Sequence, residues 1–377
     1  MPSAVSSWTL VLADTAGRIW IAQATASTPD TIATGTWAGS AALWSRLDSA
    51  PAARNLTLHT SIATTITSVL DSMTTGEPFG PVVTWELDGG GAGWSATGAG
   101  RLAIDMRHRT WRATGWATEA VGGAPERVRF DLIADTPMPL DPIVDPTPRG
   151  SVVIHTPAIV SLRIDDCMAA DRVAFALLQR LGLTAEMAVP SRRVNRRGHC
   201  SQQLLDEMIA AGDPVESHSR LHWRTPATFG DFYLEAVGSA QDLRRRGFEP
   251  FVFIPPGTWR SGPTLMDGPG KLVGPYAELL RRVYVSTECY ALPAAVSIPA
   301  PGRDGPVSWA LKGRTVATLA ERLRVAVTDS QWINFMWHAW DMTPEELESK
   351  LQVIAAFRDS GLVTVLPYYV ALHAVRQ

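Results

Sequence analysis

From residue 159 onward the hydrophobic pattern switches repeatedly between two periods. Residues 159–164 (Ile-Val-Ser-Leu-Arg-Ile) predict a strand that delivers Asp165 and Asp166 at its C-terminal end. Residues 171–181 change to helical spacing, with Val173, Ala176, Leu177 and Leu181 apolar and Gly182 as the stop. Residues 184–189 predict the next strand. Ser201 stands where it can cap a helix over 202–211, which Gly212 ends. Residues 214–217 predict a strand running into His218, and a helix over 232–246 with a strand over 251–253 repeats the unit. This β-α alternation implies an α/β fold of parallel strands with helical crossovers, either an open sheet or a barrel. In both architectures functional groups collect at strand C-terminal ends, where Asp165, Asp166, His218 and His338 fall.

Before residue 136 the dominant period is two. Strands are expected over 8–12, 19–22, 82–87, 101–106 and 128–132, with turns at 14–17 and at the Gly-rich 88–93. The expectation is a mostly-β N-terminal domain, sandwich or barrel-like. Its tryptophans, Trp94, Trp111 and Trp116 among them, suit either a packed core and interface or a sugar-stacking platform. Residues 136–150 then carry five prolines in fifteen positions, which excludes helix interior and central strand and predicts a stiff, extended linker. The expected organisation is a β-rich attachment or oligomerisation domain over 1–135, the linker over 136–150, and an α/β domain over 151–377.

Composition narrows the function classes. The 377 residues carry a formal net charge of −3, which leaves no electrostatic footprint for nucleic acid. No run is apolar enough for a membrane span. The N-terminal residues 6–14 lack a basic n-region and read as a first strand rather than an export signal. Lys271, Lys312 and Lys350 are the only lysines; the Arg, Ala, Gly and Trp bias suits a GC-rich, actinobacterial-type coding genome. Cys167, Cys200 and Cys289 are an odd, scattered set with no CxxC, so no disulfide framework is expected.

The chemistry-bearing residues are Asp165–Asp166, then His218 and His222 in a His-x-x-x-His pair, then His338. Asp166, His218 and His222 suit three ligands of a divalent cation such as zinc, with a position left for water. Asp165 would remain as a base and His338 as an acid, a set fit for hydrolysis of an amide or ester. Taken singly, each piece has a plain alternative. An Asp pair at a strand end also suits a turn or cap, the His pair a solvated face, and His338, among Phe335, Trp337 and Trp340, a core histidine. Their order along the chain favours the joint reading.

Residues 159–370 resemble the polysaccharide deacetylase domain (NodB homology, carbohydrate esterase family 4). Arg163-Ile164-Asp165-Asp166-Cys167 occupies the place of the family's Thr-Phe-Asp-Asp-Gly motif, and His218–His222 matches its His-Ser/Thr-x-x-His motif. Phe253-Ile254-Pro255-Pro256-Gly257-Thr258-Trp259 is similar to the Arg-x-Pro motif, and Ile333-Asn334-Phe335-Met336-Trp337-His338 to the last motif. The resemblance implies a NodB-type (β/α) barrel-like fold with Asp165 as catalytic base and His338 as catalytic acid. It implies Asp166, His218 and His222 on a metal, most readily zinc, and Pro255, Pro256, Trp259 and Trp337 lining the substrate. The implied substrate is an N- or O-acetylated envelope glycan such as peptidoglycan.

Three departures stand out. Ile254 replaces the family Arg that holds the catalytic Asp, making Arg163 and Arg260 the candidates to supply that guanidinium. Cys167 replaces the motif Gly, either as a small buried residue or as a thiol beside the site. The fourth motif, with its Asp-Trp pair, has no clear counterpart; residues 286–290 come nearest. A β-rich module and proline-rich stalk ahead of an envelope-directed domain suit a phage tail protein carried on the virion. There, residues 1–135 would meet other tail proteins or further copies of the chain. The competing reading is a glycan-binding or structural tail protein that keeps the fold with weakened chemistry.

Overall fold

The computed structural model describes the strand segments between residues 6 and 135, then 156–222, 229–257 and 280–375 apart from 282, 289–293 and 299–304. The expected linker over 136–150, the turn residues 15–17 and 89–93, Trp259 and Arg260 lie outside the described residues. The chain divides into two compact units, one mainly Met1–Asp141 and the other carrying most of the remainder.

In the first unit the strands are β1 (Ser6–Asp14), β2 (Ile19–Ala26), β3 (Gly35–Trp44), β4 (Ala52–Ile66), β5 (Gly80–Asp88), β6 (Trp94–Asp105), β7 (Thr110–Val121) and β8 (Glu126–Asp135). Each pairs antiparallel with the next, and β8 returns to β1 through the register Thr9↔Asp135 to Asp14↔Phe130.

The second unit is α/β. Its strands are β9 (Ala158–Asp165), β10 (Glu186–Val189), β11 (Val215–Ser217), β12 (Val252–Phe253), β13 (Ser286–Thr287), β14 (Val296–Ser297), β15 (Ser308–Ala310), β16 (Gln331–His338) and β17 (Val363–Val365). The order β13-β12-β11-β10-β9-β16-β14 runs from edge to edge without closing, and every pairing is parallel except β14 with β16. β15 pairs with β16, and β17 with the start of β9. The sheet is therefore open among the described residues, and the barrel alternative is not realised as a closed ring.

The helices are α1 (Asp171–Leu181), α2 (Gln202–Ala210), α3 (Phe229–Arg244), α4 (Val316–Thr328), α5 (Pro344–Asp359) and α6 (Tyr368–Ala374). Local chemistry fixes several boundaries. Gly182 takes the left-handed φ of 61° that ends α1, and the Ser201 hydroxyl accepts from Leu204 N–H at 3.2 Å to start α2. Thr343 does the same for α5, accepting from Glu346 N–H, with Pro344 in the first turn. No helix among the described residues is long and apolar enough to cross a membrane.

β9 is buried along its whole length, as a parallel strand covered on both faces must be. Val160, Leu162 and Ile164 join the larger core with residues of α1, α2, α4 and α5, while Ile159 packs with Trp332, Val252 and Ile254 under α6. Period two therefore puts Ser161, Arg163 and Asp165 on the Ile159 side. That face carries the site.

Candidate metal centre

Three strand ends build the site. β9 ends in Asp165 and continues into Asp166, β11 runs into His218, and β16 ends in His338, whose register partner is Asp165. The first turns after parallel strands leave backbone polar groups and short side chains free to converge, which is why ligands sit at this edge of open α/β sheets.

The backbone here is unusual. Asp166 (φ 76°), Cys167 (φ 52°), Ser219 (φ 64°) and His222 (φ 66°) all occupy the left-handed region without being glycine. Each such residue costs of order 1–3 kcal/mol, so the surroundings must over-determine it. Around Asp166 they do: Cys200 N–H donates to Cys167 O at 2.7 Å, and Ala169 N–H to Gly198 O at 3.1 Å. Cys167 and Cys200 are joined by a disulfide, with Cα atoms 5.2 Å apart. This corrects the expectation from the cysteine pattern: the partners lie 33 residues apart in sequence, and only the fold brings them together.

The histidine turn is held as firmly. Ser219 Oγ accepts from His222 N–H at 3.1 Å, and Ser219 O accepts from Ser239 Oγ at 2.8 Å. Glu235 Oε2 takes both Arg220 N–H (3.2 Å) and Leu221 N–H (2.9 Å), and Arg220 Nε donates to Asp242 at 3.1 Å.

Asp166, His218 and His222 offer three donor atoms that all lie within 4.8 Å of one another. Asp166 Oδ1 is 2.7 Å from His222 Nε2 and 3.3 Å from His218 Nε2. His218 Nδ1 donates to the carbonyl oxygen of Ile254 at 2.8 Å, which turns the Nε2 lone pair toward Asp166. Asp166 Oδ1 is buried and accepts no well-aligned hydrogen bond despite those close nitrogens. A buried carboxylate oxygen facing two imidazole nitrogens fits a divalent cation, and the mixed nitrogen and oxygen set suits zinc or a similar ion. Burial alone would raise the Asp166 carboxyl, but the His218 and His222 imidazoles beside it hold it well below the usual carboxylate range.

Two residues flank this triad. Asp165 is buried, and Arg163 from the same strand forks onto it, Nε to Oδ1 at 2.6 Å and Nη2 to Oδ2 at 3.1 Å. Arg163, one of the two arginines weighed for this role, makes the contact, and Arg260 lies outside the described residues. His338 Nε2 lies 3.8 Å from Asp166 Oδ2, and His338 Nδ1 donates to Asp341 Oδ2 at 2.8 Å. Asp341 also accepts the His338 backbone N–H at 2.9 Å and pairs with Lys312 at 3.0 Å. Burial would raise the Asp341 carboxyl, yet the His338 and Lys312 contacts bring it below its ordinary value. Sequence reasoning missed Asp341. Its signal was the short His-x-x-Asp spacing that lets one turn fold the carboxylate back onto the ring.

The substrate-lining expectations fare differently. Pro255 and Pro256 are buried directly after Ile254, next to the His218 contact. Trp337 does not line a ligand face: it is 1 % exposed and belongs to the core packed under the helices. Adjacent strand residues point oppositely, so His338 and Trp337 cannot both face the site. Among the described residues, the exposed aromatic is Trp340, 54 % exposed and stacked on the His338 ring at 4.8 Å.

No protein-family model matches the chain, and no curated protein does. Among solved structures, the peptidoglycan deacetylase PdaC from Bacillus subtilis is similar at 18% identity and a TM-score of 0.38, over 58% of this chain and 91% of that one. A family 4 carbohydrate esterase from Streptomyces lividans, in complex with acetate, is 15% identical with a TM-score of 0.37, over 55% and 91%. A family 4 acetyl xylan esterase from Clostridium thermocellum, in complex with a cobalt ion, is 16% identical with a TM-score of 0.37, over 55% and 87%. Values this low transfer neither activity nor residue roles.

Proposed function

We propose that the chain is a metal-dependent deacetylase that hydrolyses N- or O-acetyl groups on an envelope glycan, peptidoglycan or a related wall polysaccharide. The observation that carries this reading is the Asp166–His218–His222 cluster, with Asp165 held by Arg163 and His338 held by Asp341. A divalent cation, most readily zinc, bound by the three ligands would acidify a water molecule and polarise the acyl oxygen. Asp165 takes the proton from the attacking water; each of its oxygens keeps a lone pair beyond the one Arg163 uses. His338 delivers a proton from Nε2 to the departing nitrogen or oxygen, because Asp341 fixes the Nδ1 proton on the far side of the ring. The acyl carbon gains the water oxygen, its bond to the glycan breaks, and acetate leaves.

The rival reading, a glycan-gripping or structural protein, rested on the loss of the family Arg at Ile254. Arg163 supplies a guanidinium to Asp165 from another position, which removes the main reason to expect weakened chemistry. For the setting, we propose a phage tail tip in which residues 1–135 dock to tail proteins or to further copies. Its support is the proline-rich stretch after a β-rich segment and the Arg-biased composition.

The deciding experiment is acetate release from N-acetylglucosamine oligomers and peptidoglycan, for wild type and Asp165→Asn, with Zn²⁺ or Co²⁺ supplied and bound metal quantified. Metal-dependent release lost in the variant is the expected result. Bound metal without turnover on any acetylated glycan would favour the binding or structural role. Sedimentation of the full chain tests the tail reading, which requires self-association or capture of a tail component.

A further inference from the structure

Glu288 lies outside the metal triad, yet it reaches Asp165 through a single residue. Arg163 spends Nε and Nη2 on Asp165; its Nη1 donates to Glu288 Oε2, and Nη2 also donates to Ser308 Oγ at 2.9 Å. Glu288 is itself pinned on every side. Its Oε1 accepts Ser308 N–H at 2.6 Å, its Oε2 accepts Asn334 Nδ2 at 3.0 Å, and its backbone N–H donates to Phe253 O at 3.0 Å. One carboxylate thus ties β9, β15 and β16 together at the point where the guanidinium needs a fixed plane. Arg163, Asp165 and Glu288 are each 3 % exposed, so these bonds are buried.

The geometry has a chemical consequence. An arginine fork held only by the carboxylate it serves can tilt with that carboxylate, and then orients nothing. A second carboxylate on the opposite edge of the planar guanidinium fixes its plane, and the fork then fixes the carboxylate plane of Asp165. We infer that Glu288 is a positioning residue for the hydrolysis, acting through Arg163 to hold Asp165 in the orientation proton removal requires. This rests on Asp165 serving as the base in the proposed reaction. The sequence places Glu288 in the stretch 286–290, which has no Asp-Trp pair. Its place in the fold shows what that stretch contributes instead.

The competing account is that Glu288 merely neutralises a buried arginine. A double-mutant design separates the two. Glu288→Gln, Arg163→Lys, Asp165→Asn and the Glu288→Gln/Asp165→Asn double variant are compared for kcat, KM, bound metal and melting temperature. If Glu288 acts through Asp165, Glu288→Gln lowers kcat about 10- to 100-fold, as losses of supporting hydrogen bonds do, with metal content retained and KM little changed. Arg163→Lys, which keeps the charge but not the fork, should fall with it. On the residual release left in the Asp165→Asn background, Glu288→Gln should then cost nothing further. An equal loss in both backgrounds, or unchanged kcat in both single variants, overturns the inference. Should Glu288→Gln not fold, Glu288→Asp keeps the charge but shortens the reach, and the same non-additivity is required of it. If wild type releases no acetate, the proposed function fails, and a crystal structure of the Glu288 variant still decides this point. Arg163 still forked on Asp165 in the same plane would refute the positioning role.

Discussion

His218 Nδ1 and the Ile254 carbonyl oxygen stand 2.8 Å apart, and a carbonyl can only accept, so the ring proton sits on Nδ1. The Nε2 lone pair is thereby presented to Asp166 without any rearrangement. Ile254, whose side chain is apolar, thus serves the site through its backbone. Removing the ring should therefore remove the metal: His218→Ala is expected to weaken Zn²⁺ or Co²⁺ binding by more than about 100-fold, beyond the usual cost of losing a supporting contact. His199→Ala is the control, since the His199 ring contacts the Asp166 backbone oxygen, at 3.4 Å, and does not belong to the cluster of possible ligands. Calorimetric titration showing equal losses for both variants would mean that His218 is not a ligand.

Placing an arginine at position 254 should harm the protein. The Ile254 side chain is buried among Ile159, Val252 and Trp332, and Asp165 already has the Arg163 fork as its cationic partner. A second guanidinium there would be buried without a carboxylate, at a cost of about 3 kcal/mol or more. Ile254→Arg should lose that much in urea unfolding and gain no activity. Wild-type stability in this variant would show that the pocket around residue 254 is more open than its packing implies.

The bond between Cys167 and Cys200 closes a loop over a sequence separation of 33. Constraining the unfolded chain over that length stabilises the fold by about 3.7 kcal/mol in the chain-entropy account. Cys167→Ser/Cys200→Ser should show this loss in urea. It should also bind metal more weakly, because Asp166 precedes Cys167 in the same left-handed turn. Identical stability of wild type with and without reductant would argue that the two sulfurs are not bonded in solution.

Much of this site was legible because its motifs are local. The run from Ile159 to Asp166 and the His218–His222 turn each lie within one element and its following turn, so strand period and spacing place them directly. Arg163 was one of two candidates for the guanidinium, and it reaches Asp165 because residues two apart on a strand share a face. Trp337 was misjudged for a related reason. β16 is buried on both sides, so its apolar run does not reveal which face each side chain takes. The pairings of Glu288 and Cys200 were not legible. Their partners lie 125 and 33 residues away, and nothing in local patterning encodes a contact made only by the assembled sheet.

Asp213 gives a pH signature independent of the metal. Burial pushes its carboxyl up to about 6, against the pull of hydrogen bonds from Ala185 N–H (2.9 Å) and Gln179 (3.4 Å). The unfolded chain releases this proton near the ordinary aspartate value of about 4. Between those values the folded state binds the extra proton, so this group's contribution is fully present below about pH 4 and is lost as pH rises through about 6. Asp213→Asn should flatten that part of the stability profile. Parallel urea-derived profiles for wild type and variant from pH 4 to 7 would refute the assignment.

The pair His338–Asp341 makes a prediction about turnover rather than binding. Asp341 Oδ2 accepts both the ring Nδ1–H and the backbone N–H of His338, which fixes the ring's tautomer and its tilt together. An amide at 341 can present its NH₂ to the ring, which forces the proton to Nε2 and leaves no charge to stabilise the imidazolium. Asp341→Asn should therefore lower kcat about 10- to 100-fold while metal content stays at the wild-type level, because neither residue belongs to the ligand set. Lys312 touches the other Asp341 oxygen at 3.0 Å from a largely exposed side chain, so Lys312→Met should have a much smaller effect. The diagnostic comparison is with His338→Ala. If that variant is inactive while Asp341→Asn turns over like wild type, the carboxylate only shapes the turn, and His338 sets its own protonation without it.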